Sequence, residues 1–113
     1  MRDNASKALE NANAISELII NSDEYTAYTL AYKKIQNDPR LIEKINFLKY
    51  QHLEFIEYNK DDFNKEKYIS QELYKAMLDE DVKQFFISED KLITLMYDIF
   101  TTIGKNINMD FLI

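Results

Sequence analysis

His52 is the only histidine in the chain, and a lone imidazole is the first place to look for acid–base or metal chemistry. A general base needs an orienting partner, and on a helix that partner stands three or four residues away. The stretch KYQHLEF sets Gln51 and Glu54 near His52, but neither at that spacing. A di-iron centre of the ferritin type needs Glu-x-x-His from two helices; here Lys49 fills the place of that Glu, and a second His does not exist. His52 therefore reads as a side chain on the apolar stripe of a helix, filling a core or interface position.

Carboxylates cluster at Asp61–Asp62 and at Asp79–Glu80–Asp81. A calcium loop of the EF-hand kind needs a central Gly for its turn and a Glu at its twelfth position. Neither stretch has them, so helix capping accounts for both. With no Cys, disulfides, thiolate zinc and Cys-held iron–sulfur clusters are excluded. With one Gly in 113 residues, a P-loop or nucleophile elbow has no material. These observations predict no catalytic, cofactor or metal site, and a protein that is not an enzyme.

Two further groupings bear on binding. Tyr25, Tyr28 and Tyr32 recur at helical spacing, and Lys33, Lys34, Arg40 and Lys44 make the most basic stretch. Together they form an alternative reading, an RNA-binding helical module that stacks bases on tyrosine. The charge balance opposes it: 14 basic against 20 acidic residues leave a net −6, whereas nucleic-acid affinity comes largely from cations that neutralise phosphate. DNA binding is not expected.

The elements that must position these residues are helices. One Pro and one Gly supply too little turn chemistry for hairpin-rich sheets. A first helix is predicted over about 3 to 20, with Ala5, Ala8, Ala12, Ile15 and Ile19 along one face and small residues that allow close approach. Asn21 or Ser22, with Glu24 in a capping-box position, opens a second helix over about 22 to 37. In IQNDPRLIEK, Asp38 is a good N-cap and Pro39 suits the first helical position, while Pro39 also drives Asp38 out of the α region. A third helix follows, about 39 to 58, with Leu41, Ile45, Leu48, His52 and Phe55 as its stripe and Ile42 and Ile56 at its flanks.

YNKDDFNKEK is polar and aperiodic and reads as a loop, after which a fourth helix turns Ile69, Leu73, Ala76 and Met77 inward. Asp79 or Asp81 caps a long final helix. Val82, Phe85, Glu89, Leu92, Met96, Ile99 and Ile103 alternate by three and four along it, and Phe86, Ile93, Phe100 and Ile107 fall seven apart. That apolar surface is wider than one neighbouring helix covers. A faint echo at an offset of 57 aligns Tyr25, Tyr28 and Ile35 with Val82, Phe85 and Leu92; duplication and convergent capping both explain it. The expected fold is all-α, a bundle of about five helices in antiparallel hairpins, in a single domain over 1–113.

Two stretches, SDEYTAYTLAYKKIQNDPRLIEKINFLKYQ and LDEDVKQFFISEDKLITLMYDIFTTIGKNI, resemble the YlbF/YmcA family, which includes the small YheA-type bacterial proteins. The likeness lies in the order of a leading helix, an S-x-E-Y restart, a D-P break, a helix ending in Gln, a variable polar loop and a last helix with Ile-Gly near its end. The resemblance implies self-association and a non-enzymatic regulator of competence, biofilm formation and sporulation, in a complex that meets the endoribonuclease RNase Y. Cysteines through which some members hold iron–sulfur clusters have no counterpart here, so that role does not carry over and no cofactor is expected. The expected self-association surface is Met96, Ile99, Phe100 and Ile103, with a homodimer or higher oligomer as the product. No export signal precedes the first helix and no apolar run nears the ~18 residues of a membrane span. A cytoplasmic location without membrane insertion is the expectation. Whether the apolar Phe111, Leu112 and Ile113 pack internally or on a partner stays open.

Overall fold

The computed structural model describes residues 3–58 and 61–107. It is all-α, as expected. Its helices are α1 (Asn4–Ile20), α2 (Asp23–Gln36), α3 (Pro39–Tyr58), α4 (Phe63–Met77) and α5 (Glu80–Asn106).

Short polar side chains set each boundary. Asp3 caps α1, its Oδ1 accepting from the Ser6 N–H at 2.8 Å. Asn21 then ends that helix, its Nδ2 donating to the Glu17 carbonyl at 2.9 Å, and so it does not open α2. Ser22 does, its Oγ accepting from the Tyr25 N–H at 3.2 Å. Asp38 caps α3 through the Arg40 N–H at 3.0 Å with Pro39 in the first position, where a missing N–H costs nothing. Asp79, rather than Asp81, caps α5: its Oδ1 accepts from the N–H groups of Asp81 (2.9 Å) and Val82 (3.2 Å).

One boundary departs from expectation. The loop expected over YNKDDFNKEK does not span it: Tyr58 still belongs to α3, and α4 begins at Phe63. Asp62 accepts from the Lys65 N–H at 3.1 Å, and that cap starts a helix in a stretch whose polarity hid it.

The chain divides into two compact units, one of Leu30–Ile87 and one of Met1–Thr29 with Ser88–Ile113, so the divisions fall inside α2 and α5. In the first, α3 and α4 pack together as a hairpin. The buried apolar side chains are Ala31, Ile35, Ile45, Leu48, Ile69, Ala76, Val82 and Phe85, and all belong to that unit. Phe85 is its hub: the Tyr32 ring lies 6.2 Å away, the Phe86 ring 5.9 Å, and the Lys49 ammonium sits 5.2 Å above its face. Such ring pairs add about 0.5–1.5 kcal/mol each beyond their burial.

The expected stripes are only partly used. On α3, Ile45 and Leu48 are buried and Phe55 half-buried, but His52 is exposed, so it fills no core position. On α4, Ile69 and Ala76 are buried and Met77 half-buried, while Leu73 stays exposed.

Candidate functional site

The second unit holds the expected binding surface. Its α1 carries the predicted apolar face, yet none of its residues is buried, and only Ile15 and Ile19 are half-buried. The close approach that its alanines would allow buries none of them, for Ala5, Ala8 and Ala12 are all exposed. A methyl group offers little apolar area, so the branched pair Ile15 and Ile19 makes the contact that α1 has.

Opposite that pair lies the Ser88–Asn106 portion of α5. Ala12, Ile15, Ser16 and Ile19 of α1, with Met96, Ile99, Phe100 and Ile103 of α5, line a groove of about 190 Å³. All four α5 residues expected to self-associate thus come together on one groove. Among the described residues that line it Ser16 has the only polar side chain, and its hydroxyl already donates to the Ala12 carbonyl at 3.1 Å. The groove is therefore apolar in effect. Sequence reasoning missed its α1 wall as part of the site, though the spacing of Ile15 and Ile19 was the available signal.

Beyond the groove the apolar surface continues into solvent. Phe100 is 52% exposed, Ile103 39% and Met96 38%; Ile93 and Tyr97 on the same helix are also exposed, as are Ile107 just past its end and Leu9, Leu18 and Ile20 of α1. Exposed apolar side chains grouped along one helix are a feature that interaction surfaces share. Charge is uneven as well: this unit has four of the basic and nine of the acidic residues, which places −5 of the net −6 on it.

The other sequence groupings are arranged differently. Tyr25 and Tyr28 are half-buried, and Tyr32 directs its ring at Phe85, so the tyrosines are engaged in packing. Lys33, Lys34, Arg40 and Lys44 are exposed around the turn from α2 to α3. Asp62 and Asp79 are helix caps, and among the described residues no group of three or more His, Cys, Asp or Glu could hold a metal ion. Among them too, no helix is long and apolar enough to cross a membrane. Phe111, Leu112 and Ile113 lie outside the described residues.

Comparison with known proteins gives one positive finding. The model of a family described as "Control of competence regulator ComK, YlbF/YmcA" matches residues 8–108, which takes in all of α2 to α5 and most of α1. No curated protein and no solved structure matches the chain.

Proposed function

We propose, because the chain belongs to the YlbF/YmcA family of competence regulators, that it is a non-enzymatic adaptor in the cytoplasm that works through protein–protein contacts on the α1–α5 groove. A second copy of the chain docks there through Met96, Ile99, Phe100 and Ile103, and the assembled surface engages RNase Y or related small helical regulators. In this reading the protein steers mRNA processing during competence, biofilm formation or sporulation.

The observation that carries the reading is the apolar length of α5 from Ile93 to Ile103, which stays largely exposed among the described residues. An exposed aromatic and three aliphatics beside a groove supply the anchors from which interface hot spots are made. A face of that kind has no evident use in catalysis.

Sedimentation of the chain beside an Ile103→Asp variant tests it. A carboxylate on this face has no partner there, so the variant is expected to weaken self-association at least tenfold, about 1.4 kcal/mol, with unchanged helicity because Ile103 is outside the core. An unaltered association constant would remove α5 from the interface. Salt separates this from the RNA reading. Two acidic units repel, so added salt is expected to leave self-association unchanged or tighten it, whereas phosphate contacts through Lys33, Lys34, Arg40 and Lys44 would weaken steeply.

A further inference from the structure

Helix α4 has a second apolar side. Its buried residues are Ile69 and Ala76, and α3 is the helix it packs with. About half a turn away, Phe63, Lys67, Tyr74 and Leu78 follow at intervals of four, seven and four and so share one outer face. Phe63 is 74% exposed, Leu78 70% and Tyr74 69%, each more than Phe100, the most exposed of the groove's α5 residues. Lys67, Ser70, Gln71, Tyr74 and Lys75 line a shallow depression there. In a chain of net −6, this row and the residues beside it include no carboxylate. Glu72, which accepts from the Lys75 ammonium at 3.3 Å, is half-buried to one side, and Lys67 pairs with no carboxylate among the described residues.

We propose that the outer face of α4 docks an acidic amphipathic helix of another protein, with Phe63, Tyr74 and Leu78 as anchors and Lys67 and Lys75 opposite its carboxylates. A docked helix sets anchors at i, i+4 and i+7, over about 10 Å of its axis. From Phe63 to Leu78 the row runs about 22 Å, so it can seat such a helix along its length. Charge complementarity selects the partner. A second copy's α4 would bring two further lysines against Lys67 and Lys75, like charge against like. An anionic lipid surface is held by clusters of roughly four to eight cations, and this face has two. The acidic unit of a second copy has matching charge, but docking at the α1–α5 groove already engages it. The choice of a different protein thus rests on the proposed self-association, and the site itself does not.

The test titrates the full chain into two fluorescent peptides of about 18 residues, long enough to form a helix. Both carry one leucine stripe, flanked by glutamates in the first and by lysines in the second. The glutamate peptide is expected to bind about tenfold tighter, whereas the acidic unit with the α1–α5 groove would favour the lysine one. Lys67→Glu and Tyr74→Ala, both at exposed sites, are each expected to weaken the glutamate peptide about tenfold, with helicity and self-association unchanged. Equal affinity for the two peptides, tighter binding of the lysine peptide, or a glutamate peptide indifferent to both substitutions overturns the site. A fall in self-association in Lys67→Glu makes a second copy the occupant and overturns the choice of partner. Phosphatidylserine vesicles that bind the unaltered chain but not Lys67→Glu assign the face to lipid and overturn it as well. Glutamate-peptide binding in a chain that does not self-associate supports the site and overturns the groove docking alone.

Discussion

Val82 and Ile103 lie three heptads apart on the apolar surface of α5, yet Val82 is 1% exposed and Ile103 39%. The same contrast holds between α2 and α1, where Ile35 is fully buried while on the α1 stripe Ile15 and Ile19 are only half-buried and Ala5, Ala8 and Ala12 are exposed. In Leu30–Ile87 an apolar periodicity is matched by neighbours on several sides, and the stripe becomes a core. In the unit that holds α1, the start of α2 and the later part of α5, an equally regular periodicity meets less cover, and most of the stripe stays in water. Identical patterning thus yields stability in one region and a binding face in the other. What decides between them is the number of neighbours, to which each stripe is blind.

The largest effect that tests this contrast is in the core. Ile35→Ala removes a fully buried side chain and is expected to cost about 2–5 kcal/mol, read as a lower midpoint in urea. Leu18→Ala, at an exposed site of α1, is expected to fall within about 0.5 kcal/mol. Equal costs would break the comparison, because α1 would then be packed as firmly as α2. A smaller effect comes from Asp79→Ala, which strands the N–H groups of Asp81 and Val82 next to the buried Val82. About 1 kcal/mol is expected. Asp79→Asn restores most of it if capping is the cause, and failure to restore it would point to charge on the helix dipole instead.

How far the sequence discloses this molecule follows from the same contrast. Boundaries at Asp38–Pro39 and Asp79 were legible because capping is local chemistry between residues two or three apart. Asp62 was read as a cap, but the helix it opens was placed too late, because that helix begins with Phe63, Asn64 and three charged residues and no apolar period announced the start. Of the two positions expected for His52, core or interface, its exposure removes the core, because an apolar stripe gives direction and not extent and α3 carries its stripe past the neighbours that bury Ile45 and Leu48. The four α5 residues of the groove were found from heptad spacing, whereas on α1 the spacing of Ile15 and Ile19 marked an apolar face without saying which helix would stand opposite it. The tyrosine stripe was ambiguous until Tyr32 met Phe85.

The smallest effect is at the edge of α1. The Ser6 backbone N–H, bonded to Asp3 Oδ1 at 2.8 Å, and then the Ser6 side chain hold the Asp3 carboxyl below its ordinary value. A depressed folded-state pKa means that the charged form favours the helix. The contribution is therefore complete above the unfolded pKa of about 3.9 and is lost as pH falls through the lower, folded value. Acidification should release the Ser6 amide and fray the first turn of α1, seen as faster Ser6 exchange, while the Ile45 amide in the α3 core keeps its protection over the same range. Asp3→Asn keeps the cap but cannot titrate, so its Ser6 amide should be indifferent to that acid step. If the Asn variant frays with the same midpoint, the titrating group is elsewhere, and if Ile45 loses protection together with Ser6, the two units do not differ in stability as their burial implies.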